Sequence, residues 1–140
     1  MIVRPAVRAD LADIVALLTD GVATVDEAYI RAFETVDADP RNEILVLDDG
    51  GAAVGCLQVT YIPGLGRHGQ ERAHVEAVRI RADRRGAGLG RLLLRHTIDR
   101  ARSRGCTLMQ LTSDRRRDDA HRFYDSLGFV RSHEGFKLEL

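Results

Sequence analysis

Residues 84–91 read Arg-Arg-Gly-Ala-Gly-Leu-Gly-Arg, with Gly86, Gly88 and Gly90 on alternate positions between Arg84, Arg85 and Arg91. A strand-like segment precedes them and a leucine-rich helical pattern begins inside them. Two phosphate-binding motifs are excluded by spacing. A dinucleotide fingerprint needs glycine or alanine at 91, where Arg91 stands, and a P-loop needs Gly-Lys-Ser/Thr. What remains is an anion site at a helix start. The first N–H groups of a helix have no internal partner and carry the positive end of its dipole. Glycine lets a ligand approach that backbone and accepts a positive φ, so a pyrophosphate suits such a place. On these residues alone, a turn with solvated arginines is the alternative reading.

Other reactive side chains surround this run. In "RAHVEAVRI", strand alternation places His74, Glu76, Val78 and Ile80 on one face. Tyr124 shares a helical face with Ala120, Phe123 and Leu127, which by spacing alone describes a core aromatic. Cys56 and Cys106 are too few for a disulfide framework and sit in apolar settings, as small buried hydrophobes. The histidines and carboxylates show no metal-ligand spacing.

The elements that position these residues follow from periodicity. "IVR" is a short strand, and a helix follows in which Leu11, Ile14, Val15 and Leu18 keep helical spacing behind Asp10 as N-cap. Residues 22–39 read as a weaker helix ending before Pro40. "EILVL" and "AAVGCLQVTYI" around "DDGG" form a hairpin. "PGLGRHGQE" leads to the strand at 72–80. The next helix runs from the glycine run to Gly105, with Gly90, Leu94, Thr97, Ile98 and Ala101 on one face. "TLMQLT" is a strand, "RRDDAHRFYDSLG" a helix, and "FVRSH" with "FKLEL" a closing hairpin around Glu134-Gly135. The strand–helix–strand crossover predicts a parallel pair within a mostly antiparallel sheet, an α+β fold of mixed layers.

The 140 residues are expected to form one domain, and 44% hydrophobic with 30% charged residues is the composition of a globular protein. Twenty-one basic residues balance 21 acidic ones, so net charge points to no nucleic-acid or membrane partner. No apolar run reaches the ~20 residues of a membrane span, and "MIVRPAVRADL" has no signal-peptide core. The expected compartment is the cytoplasm.

Three segments in register resemble one family. Arg85-x-x-Gly88-x-Gly90 is similar to the Arg/Gln-x-x-Gly-x-Gly/Ala signature of the GNAT superfamily of acyl-CoA-dependent N-acyltransferases. "HVEAVRI" resembles that family's fourth strand, and "AHRFYDSLGF" its Ala-x-x-Phe-Tyr-x-x-x-Gly-Phe segment. The resemblance implies the GNAT-like fold, with helices on both faces of the sheet and a splayed parallel strand pair leaving a slot for a thioester. It implies acetyl-CoA as co-substrate, with the amides of Gly86, Ala87, Gly88, Gly90 and Arg91 around the pyrophosphate and Arg85 beside it. The backbone of Val78 and Ile80 would pair with the pantetheine. The family often has Asn where this chain has Arg117, which could reach phosphate instead.

Transfer to an amine needs the neutral amine. A lysine-like amine with pKa ~10.4 is neutral in about one molecule in two thousand near pH 7. A positioned base supplying roughly 10²–10⁴-fold is of comparable size. The resemblance gives that role to Glu76, directly or through water, with His74 as the alternative base. Pairing of Glu76 with Arg72 or Arg79 is the competing structural role. Tyr124 stands at the family's general acid, a phenol protonated near neutral pH because its pKa is ~10. Neither cysteine has a histidine or acidic partner in sequence, so direct attack is expected rather than a covalent acyl-enzyme.

The acceptor is expected to be a small amine. Arg67, His68, Arg72 and His74 would favour one bearing a carboxylate or phosphoryl group, and residues 112–140 resemble aminoalkylphosphonate acetyltransferases within the superfamily. Asp20, Asp26, Glu27, Glu34 and Asp37 could instead draw a polycation, or simply be a solvated face. The alternatives are a peptide amine as acceptor, or a catalytically silent acyl-CoA-binding domain. Homodimers are common among single-domain members.

Overall fold

The strongest β signals, residues 42–63, form the expected hairpin, turning at Gly50 and Gly51. In the computed structural model, which describes residues 1–140, the chain order is β1 (Ile2–Pro5), a 3-10 turn (Arg8–Asp10), α1 (Leu11–Leu18), α2 (Glu27–Ala38), β2 (Asn42–Asp49), β3 (Ala52–Pro63), the single turn α3 (Gly66–Gly69), β4 (Glu71–Ile80), a second 3-10 turn (Ala82–Arg84), α4 (Leu89–Arg104), β5 (Leu108–Leu111) and α5 (Asp118–Ser126). The chain divides into two compact units, Met1–Gln110 and Leu111–Leu140.

The sheet runs β1-β2-β3-β4-β5, antiparallel through β4 and closed by a parallel β4–β5 pair. This is the α+β architecture that the resemblance implies, with helices on both sides. Alternation splits each strand between two layers. Val46 and Cys56 join Leu11, Ile14, Val15 and Phe33 in the core under α1 and α2. Leu45, Leu47, Leu57 and Val59 therefore point the other way, to the layer of α4, whose Leu93, Leu94, Thr97 and Ala101 are buried. The buried Thr97 hydroxyl donates to the Leu93 carbonyl at 2.8 Å. No helix is long and apolar enough to cross a membrane.

Three expectations need correction. Asp10 does not cap α1 with its side chain; its carboxylate accepts from Arg4 at 2.7 and 2.9 Å and from the Val7 N–H at 2.8 Å. A charge this buried is held by the nearest guanidinium, and its one backbone bond closes the start of the 3-10 turn rather than of α1. The weaker helix starts at Glu27, not at residue 22, because Asp26 caps it by accepting from the Tyr29 N–H at 3.1 Å. No closing hairpin forms. Residues 129–140 carry no strand, and Val130, Phe136, Leu138 and Leu140 are exposed.

Arg4 also donates to Asp48 at 2.9 Å, tying β1 to β2 and to the turn before α1. Its hydrogen bonds hold both carboxyls below the usual carboxylate range. Arg4→Ala should cost about 2 kcal/mol, less than a fully buried pair because Arg4 is itself 25% exposed. A depressed carboxylate stabilises the fold fully above its unfolded value of ~3.9 and loses that contribution as pH falls through the folded one. The gap between wild type and Arg4→Ala in urea unfolding should therefore be wide at neutral pH and close in acid. An equal gap at both would assign the cost to lost packing alone.

Candidate functional site

β4 is where the strand pattern breaks. Its partners run Thr60↔His74 and Gln58↔Glu76, then Cys56↔Arg79 and Gly55↔Ile80, so Ala77 and Val78 together oppose Leu57. Ala77 takes φ 56 to make this bulge, a left-handed conformation uncommon for a residue with a side chain. One inserted residue reverses every side chain beyond it. His74 and Glu76 thus share a face with Gln58 and Thr60, while Val78 and Ile80 turn to the opposite one. A Cβ built on Gly55 would lie 2.7 Å from Ile80 Cδ1. The expected single face of His74, Glu76, Val78 and Ile80 is corrected accordingly.

Glu76 is exposed on that face. It forms no ion pair with Arg72 or Arg79; Arg79 Nη1 donates instead to the Val78 carbonyl at 2.9 Å. His74 lies one step along the ladder, its Nδ1 3.4 Å from the amide nitrogen of Gln110 on β5. Across β3 the Thr60 hydroxyl donates to Asn42 Oδ1 at 2.7 Å, and Asn42 Nδ2 donates to Asp39 at 3.0 Å. Asp39, Asn42, Thr60, His74 and Gln110 make a polar row across one sheet face. Sequence reasoning singled out only His74 of these. The signal for one other, Thr60, was available, because Gln58 and Thr60 are polar residues on alternate positions of an otherwise apolar strand.

The glycine run forms a turn between β4 and α4. Gly86 and Gly88 take φ 82 and 79, and Gly88 caps α4, its carbonyl accepting from the Leu92 N–H at 3.1 Å. A Cβ at either glycine would meet nothing within 4 Å. Glycine is needed here for backbone conformation, and the surroundings leave that backbone uncovered. Gly86, Ala87 and Gly88 are exposed, and Gly90 and Arg91 lie in the first turn of α4. Arg84 is paired with Asp49, anchoring the turn to the β2–β3 hairpin. Arg85 is exposed, and its Nε donates to the Ile80 carbonyl at 3.1 Å. Open amides at a helix start beside an arginine fit a pyrophosphate.

The remaining candidates are dispersed. Arg67 and His68 are exposed, in left-handed conformations (φ 52 and 61) within α3, beyond the Pro63↔Glu71 end of the β3–β4 ladder. Arg72 lies opposite Ile62, one step from His74. In the second unit Tyr124 lies on α5 between the rings of Phe123 and Phe129, at 5.3 and 5.8 Å, and Arg117 precedes the first turn of that helix. Burial pushes the Cys56 thiol up to about 12, and burial with the Glu71 hydrogen bond raises Cys106, so neither thiol is an activated nucleophile. A cavity of about 250 Å³ lies apart from the glycine turn, lined by Phe33, Val36, Asp39, Ile44 and Arg100 among others.

The model of the Acetyltransferase (GNAT) family matches residues 12–129. The glucosamine 6-phosphate N-acetyltransferase of Trypanosoma brucei brucei is 36% identical over 84 residues, 60% of this chain and 54% of that protein. The streptothricin acetyltransferase of Streptomyces lavendulae is 33% identical over 97 residues, covering 69% and 48%. The chain thus spans about half the length of the curated relatives it matches. A solved structure described as a transcriptional regulator from Bacillus halodurans C-125 superposes with a TM-score of 0.95 at 41% identity, covering 99% of both chains. With the match running from α1 past α5, the chain belongs to the GNAT family of acetyltransferases.

Proposed function

We propose that this protein is an N-acetyltransferase that moves the acetyl group of acetyl-CoA to a primary amine of a small-molecule acceptor. The observation that carries the reading is an exposed, unpaired Glu76 one residue before a bulge, on the strand that leads into an open-amide turn. Val78, Ile80 and the turn from Arg85 to Arg91 bind the donor through main chain and charge, with Arg117 as a further phosphate contact. Glu76 takes the proton of the acceptor ammonium, directly or through water. The amine nitrogen attacks the thioester carbon, the C–N bond forms, and the C–S bond breaks. Tyr124 gives its proton to the departing thiolate, and the second proton shed by the attacking nitrogen as it becomes an amide restores the phenol. Acceptors named for the curated relatives, glucosamine 6-phosphate and streptothricin, support a small amine. The reading includes a cytoplasmic setting and a homodimer, and light scattering checks the second.

A screen of amines with acetyl-CoA, read by thiol release, tests this function. It should include amino sugars, aminophosphonates, polyamines and peptide N-termini. The name of the Bacillus halodurans relative favours a second reading, an acyl-CoA-binding regulatory domain without turnover. Binding of acetyl-CoA with no thiol release across the panel would decide for it. Tyr124→Phe should keep acetyl-CoA affinity and lower turnover roughly tenfold or more; unchanged turnover removes Tyr124 from the mechanism.

A further inference from the structure

The polar row on the Glu76 face has fixed proton directions. The Asp39 carboxylate only accepts, so the Asn42 amide donates to it with Nδ2 and presents Oδ1 to Thr60. The Thr60 hydroxyl must then spend its proton on Asn42, which leaves its oxygen lone pairs open. On the other side, the Gln110 amide nitrogen faces His74 Nδ1. An amide nitrogen is a donor, so this contact puts the lone pair on Nδ1 and the hydrogen on Nε2. No group of the chain accepts from that Nε2–H, and none donates to Thr60 Oγ1.

Thr60 and His74 are direct partners in the β3–β4 register, and both are half-buried. One free acceptor and one free donor therefore stand side by side, and a hydroxyl group satisfies both. It accepts from His74 Nε2–H and donates to Thr60 Oγ1. An ammonium group offers no lone pair to His74, and a carboxylate or phosphoryl oxygen offers no proton to Thr60.

We propose that Thr60 and His74 form a hydroxyl-reading subsite, so that the acceptor is a hydroxylated amine of the amino-sugar or aminocyclitol class. This rests on the acetyl-transfer reading above. Glu76 is two residues from His74 along β4, about 6.6 Å. An amine and a hydroxyl on non-adjacent carbons of one sugar ring span the two positions. In this role His74 is a positioning donor and not the base, because its remaining nitrogen bears a hydrogen. Gln110 and the Asn42–Asp39 pair act through His74 and Thr60 by holding their proton directions.

The test compares kcat/KM for 4-aminocyclohexanol and cyclohexylamine, which differ by one hydroxyl, with the full chain and saturating acetyl-CoA. Wild type should prefer the hydroxylated amine roughly tenfold or more, the worth of a hydrogen-bonded pair. Thr60→Val keeps the side-chain shape and removes the oxygen, and Gln110→Glu inverts the ring by accepting a hydrogen from Nδ1. In both variants the ratio should fall towards one. Equal rates for the two amines in wild type would overturn the subsite even if no variant folds, as would a ratio that survives Thr60→Val. Absence of thiol release with every amine would overturn the acetyl-transfer reading itself, and the subsite with it.

Discussion

Glu76→Gln is expected to lower kcat/KM for amine acceptors by about 10²-fold or more near neutral pH. Glutamine keeps the volume and the hydrogen-bonding reach of the side chain while losing its basicity. An acceptor with pKa ~10.4 is almost wholly protonated at pH 7. Without a base, only the rare neutral molecules react. The deficit should therefore shrink as the assay pH rises towards the pKa of the acceptor, because solvent then does the deprotonating. Two pH–rate profiles, wild type and variant, decide the matter. Parallel profiles of equal height would return Glu76 to a solvated surface charge. Its exposure and lack of any ion pair with Arg72 or Arg79 make the substitution a clean one, since no partner is orphaned.

The second large effect is expected at the turn. Gly88→Glu should weaken acetyl-CoA binding by roughly 100-fold or more, read by calorimetry. Two causes act together. A side chain at φ 79 costs roughly 1–2 kcal/mol, which shifts the amides of the turn from their places. A carboxylate at the cap then repels the pyrophosphate across a short distance. Gly88→Ala separates the two, because a Cβ there meets nothing within 4 Å. It carries only the conformational cost and should lose less affinity than Gly88→Glu. The stability of Gly88→Glu should change less than its affinity, since a negative charge at a helix N-terminus favours the helix. Wild-type affinity in both variants would remove the turn from the phosphate site.

The turn of the candidate site was legible in one sequence because glycine has few substitutes. A positive φ twice within three residues ahead of a helix leaves a mark that spacing reveals. The bulge left no such mark. Ala77 is an ordinary strand residue by type, and its left-handed conformation is imposed by the ladder on either side, so alternation was extended two residues too far. Asp10 looked like a cap because capping is read from local order, whereas its partner Arg4 is set by the meeting of β1 with the turn before α1. The closing hairpin failed for a related reason. Gly135 does not take the positive φ that a tight hairpin turn needs, and Glu134 pairs with Arg115 instead. An isolated two-stranded hairpin is marginal in water without a further strand to cover it, so the β pattern of Phe136, Leu138 and Leu140 goes unused within residues 129–140.

The bulge at Ala77 also divides labour along β4. In the proposed reaction the strand upstream of it addresses the acceptor with side chains, and downstream it addresses the donor with main chain. These two alphabets mutate differently. Substitutions at His74 or Thr60 rewrite the first and leave the second untouched, because a peptide group is the same whatever residue bears it. A lineage built on this strand can therefore wander through acceptors while its donor stays constant. Ala77 is the hyphen that lets one strand hold both scripts.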